Sequence, residues 1–161
     1  MSNSADYQLV RNSSVGAELF EDEAKTLAAI LGVLQLKDGE LLVSEGGAEQ
    51  TLFILVSGKL GVISVVTGGT EKLVHTMKVG ECAGTRAVVD RTPRKATLRA
   101  VGNATVYTLT PEAFEALVDA HPRLSYKVMR ALFRNTHTNL MRMNQESQQL
   151  ANYISKSGGR Y

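Results

Sequence analysis

The sequence predicts a mainly β domain, a small barrel or sandwich, with one helix before it and two after it. Three observations predict this. Between Val33 and Thr110, short β-rich runs alternate with Gly-bearing turns. Upstream, from Gly16 to Leu31, apolar residues recur at helical spacing. Downstream, Thr110-Pro111-Glu112 and then Pro122 each open a helical stretch. Strands this short and closely spaced are the pattern of a small barrel or a packed pair of sheets.

Taken in order, residues 1–14 carry Ser, Asn and Asp with few apolar anchors, which predicts a disordered or loosely held N-terminus. The first helix gathers Leu19, Phe20, Ala24, Leu27, Ala28, Ile30 and Leu31. Its acids Glu18, Glu21, Asp22 and Glu23 come early, where the helix dipole favours them, and Gly32 stops it. Strands are predicted near 33–37, 40–44, 51–57, 59–66, 71–78, 95–101 and 104–109. Asp38-Gly39, Gly46-Gly47, Ser57-Gly58, Gly68-Gly69 and Gly102-Asn103 separate them, each supplying turn chemistry. Thr110 caps the next helix, which runs to about Ala120. Pro122 opens a longer one reaching about Ser155, and Gly158-Gly159 ends the order. The barrel domain therefore spans 15–133, and 134–161 hold the rest of the long helix and a short tail.

Along that helix Met129, Phe133, Thr136, Leu140, Met143, Ser147, Leu150 and Ile154 are spaced alternately by four and three, a heptad seam with two polar members. Met129 and Phe133 are expected to pack on the barrel. The later positions reach beyond a barrel this small and would leave an apolar stripe in water. A homodimer is therefore expected, with Thr136, Leu140, Met143, Leu150 and Ile154 at its interface.

Composition narrows the function classes. Apolar residues at 43% and charged residues at 21% suit a globular domain. No apolar run approaches the ~20 residues of a membrane span. The polar N-terminus lacks a secretory segment, so a cytoplasmic location with no membrane partner is expected. A net charge of +2 is too weak to argue for nucleic acid. Cys82, the only cysteine, can form no intrachain disulfide and reads as a small buried side chain. His75, His121 and His137 show no metal-ligand spacing, which argues against a metal site, and no nucleophile motif suggests an enzyme. Seven residues follow Ile154, too few for a helix-turn-helix, so no DNA-binding domain is expected.

One stretch carries chemistry: VGECAGTRAVVDRTPRKATLRAV, from Val79 to Val101. Gly80 and Gly84 let backbone N–H groups turn toward a ligand, and a short helix after Gly84 would aim its amide end at an anion. Arg94 follows Pro93, which fixes the local backbone. An Arg facing into a strand-lined pocket needs a partner, and a phosphate offers two parallel hydrogen bonds. Lys95 and Arg99 supply further charge, although strand alternation turns Lys95 to the face opposite Arg94.

The order of elements resembles the cyclic nucleotide-binding domain family, which includes the catabolite activator protein and protein kinase A regulatory subunits. LKDGELLVSEGG (36–47), TLFILVSGKLGVI (51–63), VGECAG (79–84), DRTPRKATLRAV (90–101) and TLTPEAFEALVDAHPRL (108–124) carry the resemblance. It covers roughly residues 16–145. It implies a double-stranded β-helix, or jelly roll, of about eight strands, a cAMP-like ligand, and no resident cofactor. It implies that Gly84, Thr85, Arg94 and Lys95 form the phosphate cassette, and that Thr136, Asn139 and Leu140 reach the base. Thr85 departs from the family pattern, in which a Glu accepts hydrogen bonds from the ribose 2′-hydroxyl. Arg86 departs too, standing where the family has an apolar residue; it is expected to lie outside and pair with an acid such as Asp90. Two readings follow. One is a stand-alone regulatory sensor that signals through its last helix to a protein partner. The other is a degenerate, nucleotide-free dimeric interaction module.

Overall fold

The computed structural model describes residues 4–66 and 68–158. They form α1 (Tyr7–Arg11), α2 (Glu21–Ile30), β1 (Gly32–Leu36), β2 (Leu41–Val43), β3 (Leu52–Val65), β4 (Glu71–Met77), β5 (Cys82–Ala83), α3 (Thr85–Asp90), β6 (Thr97–Leu109), α4 (Pro111–Ala120) and α5 (Pro122–Gly158). The strands make one antiparallel sheet in the order β1-β6-β3-β4, with β2 added to β6 and β5 to β3.

Among the described residues six strands stand where about eight were expected: two expected turns are bends, which merges 51–57 with 59–66 and 95–101 with 104–109, while the short β5 is added. At Ser57-Gly58 the β3–β6 register shifts, and Gly58 takes φ +85° while the strand continues. A side chain there would press on Asn103 and Ala104 of β6. At Gly102-Asn103, β6 bends likewise, with the Gly102 amide donating to Asp38 Oδ1 at 2.7 Å. Glycines at positive φ thus curl two long strands rather than end them. The curl closes the sheet over an interior.

Alternation sorts the side chains into two cores. Leu52, Ile54 and Val56 join the cluster formed with the helices, whereas Phe53 and Leu55 join the one inside the roll. This explains why TLFILV reads as an unbroken apolar run: it is buried on both faces. The helix-side core contains Ala24, Leu27, Phe114, Leu117, Leu124, Val128 and Leu132; the roll is filled by Leu36, Leu60, Met77, Leu98 and Val106.

The expected looseness of residues 1–14 is corrected; residues 1–3 lie outside the described residues. Asp6 caps α1 by accepting from the Gln8 amide at 2.8 Å, and its own amide donates to the Tyr107 hydroxyl at 2.9 Å. Val10 and Ser13 are fully buried, and Gly16 lies so close to the Val10 carbonyl that a Cβ would overlap it. Val10 is the completely buried anchor, Ala5 and Tyr7 pack partly against the same core, and Leu9 stays exposed. The following helix starts at Glu21 rather than Gly16, with Glu23 Oε1 accepting from the Phe20 amide at 2.9 Å.

Helix α4 starts as the sequence indicates, Thr110 accepting from the Ala113 amide at 3.1 Å. At 37 residues, α5 is about 55 Å long at the standard rise. Its fully buried residues among those described, including Leu124, Val128, Ala131 and Leu132, lie in its first part. Met129 and Phe133 do not pack on the sheet as expected; Phe133 is 75% exposed and faces α3 across a groove. Phe133 lies roughly 100° round the helix from Leu132, and Met129 and Phe133 line that groove together with Leu132. Of the expected stop, Gly158 is the last described residue of the helix and Gly159 lies outside.

Candidate functional site

The site begins with how Arg94 enters it. The Arg94 amide donates to the Gly47 carbonyl at 3.1 Å, and its carbonyl accepts from the Gly46 amide at 2.8 Å. The Gly-Gly turn and the Pro-Arg segment, far apart in sequence, are thereby clamped together. On the other side β5 pairs with β3, Ala83 opposite Phe53. Gly84 then takes φ +91° as the N-cap of α3. A Cβ at Gly84 would overlap Arg94 Nη1 and lie 2.8 Å from the Thr51 carbonyl oxygen, so only glycine fits. The first amides of α3 have no acceptor within the helix.

Arg94 is 6% exposed. Its guanidinium lies 5.0 Å from the centre of the Phe53 ring, and Nη2 donates to the Thr51 carbonyl. Nε is buried without a partner. Among the described residues, no ion pair includes Arg94. Burial pushes its pKa below the ordinary guanidinium value, and Glu49 opposes that shift through its charge. The Glu49 carboxyl is held below its ordinary range, first by the Thr51 hydroxyl, against its own burial, with the Thr51 amide and Arg94 adding to the effect. The site is therefore a buried cation facing a carbonyl, an aromatic ring and the backbone at Gly84. That arrangement suits an anion that can take up Nε and the remaining guanidinium hydrogens.

Helix α5 closes over the cassette. Thr85 Oγ1 and Thr136 Oγ1 lie 3.0 Å apart, and the Thr136 hydroxyl donates to the Leu132 carbonyl at 3.0 Å. Farther along, Arg142 Nη1 lies 3.5 Å from His75 Nε2, and His75 lies 2.9 Å from Glu81 Oε1. Between these contacts Asn139 is half-buried, and just before them Asn135 keeps a buried Nδ2 without a partner. A cavity of about 360 Å³ shares Glu49, Thr51 and Phe53 with the surroundings of Arg94. A groove of about 240 Å³ between α3 and α5 shares Thr85 and Thr136 with their hydroxyl contact. Arg94 lines neither, because its guanidinium is folded down on Phe53 and Thr51.

The structure thus brings together Gly84, Thr85, Arg94 and Thr136. Lys95 is exposed; it precedes β6, which begins at Thr97, so strand alternation does not set its direction. Leu140 is 53% exposed. Arg86 is exposed on α3, and among the described residues no ion pair joins it to Asp90. Arg99 pairs with Glu71 at 3.3 Å instead of serving the cassette. Cys82 is buried and its thiol is pushed up to about 11, chiefly by burial. Among the described residues, no cluster could hold a metal ion, and no helix is long and apolar enough to cross a membrane. Glu49, Thr51, Phe53, His75, Asn135 and Arg142 were not singled out in the sequence. For Phe53 and His75 alternation was the available signal, since both stand on the inner face of their strands.

Residues 33–121 match the model of the family described as Cyclic nucleotide-binding domain. The chain belongs to this family. As a cyclic nucleotide-binding domain it is similar to a domain from Methylobacillus flagellatus KT, with a TM-score of 0.82 and 17% identity over 89% of this chain and 84% of that one. It is similar to the regulatory domain of Toxoplasma gondii PKA crystallised with cAMP, with a TM-score of 0.69 and 20% identity over 82% of this chain and 48% of that one. Among curated proteins it is 27% identical over 113 residues to lysophospholipase NTE1 of Mycosarcoma maydis. That match takes in 70% of this chain and spans only 6% of the lysophospholipase. The jelly-roll architecture expected from the sequence is that of these structures.

Proposed function

We propose that this cyclic nucleotide-binding domain is a regulatory sensor that takes a cAMP-like ligand. The cyclic phosphate pairs with Arg94 beside the backbone of Gly84, the ribose faces Thr85, and the base lies under Thr136 and Asn139. The single observation that carries this reading is Arg94: a buried guanidinium with an unpartnered Nε and, among the described residues, no ion pair. Burying a cation in this way is costly unless an anion compensates it. Thr85 in place of a carboxylate weakens the ribose contact. Hydrogen bonds to charged groups contribute about 1.5–3 kcal/mol and neutral ones about 0.5–1.5, so the loss is roughly tenfold in affinity. Ligand binding then biases α5 by as much as it favours one position of that helix over another. Leu140, Met143, Leu150 and Ile154, each more than half exposed, serve as the seam of a homodimer. Titration calorimetry with cAMP and cGMP tests the reading, with Arg94→Ala alongside. Binding that the variant loses supports it; the absence of binding to either nucleotide would sink it.

A second reading has its own observation. Thr85 and Thr136 satisfy each other across the cassette where a ribose would lie. A nucleotide-free interaction module would keep that contact permanently. The same calorimetry separates the two readings.

A further inference from the structure

We propose that Arg142 reads the base and gives the site a preference for guanine over adenine. The inference rests on the reading of the roll as a cyclic nucleotide site covered by α5. His75 stands opposite Val62 in the β3–β4 register, two residues from Met77, which belongs to the core inside the roll. Its side chain therefore faces inward, at the mouth that α5 crosses. There its Nε2 donates to Glu81 Oε1 at 2.9 Å. Arg142 Nη1 lies 3.5 Å from the same nitrogen. A ring nitrogen that donates to a carboxylate has no lone pair to offer, and a guanidinium can only donate. Arg142 is thus held over the mouth, against the imidazole, without bonding to it. Its ion pair with Glu146 is long, 4.0 Å from Nε, and lies on an exposed part of the helix, where such pairs contribute little. Among the described residues, no acceptor is hydrogen-bonded to the Arg142 guanidinium.

The position of Arg142 along α5 indicates what those free hydrogens meet. It lies six residues beyond Thr136, about 9 Å at the standard rise, and three beyond Asn139 on the same helix face. Thr136 meets Thr85 at the cassette, and Arg142 meets the sheet across the mouth. A purine whose sugar faces Thr85 extends from the first of these contacts toward the second. Guanine carries two adjacent acceptors, N7 and O6, which a guanidinium fork takes with two parallel bonds. Adenine has an amino group in place of O6, which sets donor against donor. The acid at this end of the site does not rescue adenine. Glu81 is engaged at both oxygens, Oε1 by His75 and Oε2 by the Lys78 amide at 2.6 Å.

Titration calorimetry of the full chain with cGMP and cAMP tests this. One bidentate base contact implies a preference for cGMP of about fivefold or more. Arg142→Gln exchanges a group matched to guanine for one matched to adenine, so the preference should vanish or turn toward cAMP. Equal wild-type affinities, a wild-type preference for cAMP, or a cGMP preference that survives Arg142→Gln overturns the assignment. Arg142 is half-exposed on a helix and belongs to neither core, so the variant keeps the packing of the fold. Arg94→Ala separates this inference from the sensor reading. Nucleotide binding that needs Arg94 but shows no base preference leaves the sensor standing and removes the role of Arg142. Absence of binding to either nucleotide removes both.

Discussion

Arg94→Met should leave the ligand-free protein at least as stable as the wild type while abolishing anion binding. Three opposing effects set the outcome. Taking a guanidinium out of water costs several kcal/mol. Against this, the Thr51 carbonyl contributes about 1.5–3 kcal/mol as an acceptor for a charged donor. The Phe53 ring, 5.0 Å away, contributes about 0.5–2. The unpartnered Nε adds nothing. Methionine fills similar space, keeps contact with Phe53 and carries no desolvation penalty, but it orphans the Thr51 carbonyl at about 1–3 kcal/mol. Swaps of a buried ionic group for an apolar one are often neutral or stabilising by about 1–4 kcal/mol. The net expectation is 0 to about 2 kcal/mol of stabilisation, or a rise in Tm of up to about 8 °C for a domain of this size. Scanning calorimetry on ligand-free protein measures it, with nucleotide calorimetry on the same samples. A fall in Tm of more than about 4 °C would show Arg94 to be a satisfied structural group and refute the premise of a cation held ready for an anion.

Other consequences follow from the same geometry. Thr85→Glu should tighten cAMP binding by about tenfold; unchanged affinity by calorimetry contradicts the assignment of Thr85 to the ribose. Gly84→Ala should destabilise the fold by about 2–4 kcal/mol, because φ +91° disfavours a side chain and the new Cβ meets the Thr51 carbonyl oxygen at 2.8 Å. Chemical denaturation reads that loss, and a shift under about 0.5 kcal/mol would mean the cassette backbone adapts freely. Leu140→Glu combined with Met143→Glu should give a monomer by light scattering, and a mass unchanged from wild type excludes this seam.

Much of the fold was legible because it depends on local rules. Thr110-Pro111 marked the start of α4, whereas the strand expected from residue 95 begins at Thr97, so Arg94 inside and Lys95 outside follow from the backbone clamp to Gly46 and Gly47 rather than from alternation. The count of strands was not legible, for a physical reason. Gly58 and Gly102 take positive φ, which the chain uses equally to end a strand and to curl one. Only the partner strand decides, and in both cases β3 and β6 remain paired on either side of the bend. The N-terminus misled in a different way. Val10, Ser13 and Val15 are too few to register as a pattern, yet complete burial makes each one count.

The site divides along the same line. Gly84 and Arg94 were legible because each is required by its own backbone neighbourhood. Thr51, 43 residues from Arg94, and His75, 67 residues from Arg142, gain their roles only when the roll closes. Thr136 shows where local and tertiary reasoning compete. Heptad spacing assigned it to a dimer seam, and the cassette claims its hydroxyl. Both follow if the seam proper begins at Leu140, where α5 leaves the roll. On the proposed sensor reading the helix would then carry two tasks that overlap within a single turn: as far as Arg142 it covers the site, and from Leu140 onward its exposed apolar residues would face a second copy. A ligand that displaces the Thr85–Thr136 contact would then also shift the first residue of the seam, which gives the mouth of the roll a route to the dimer.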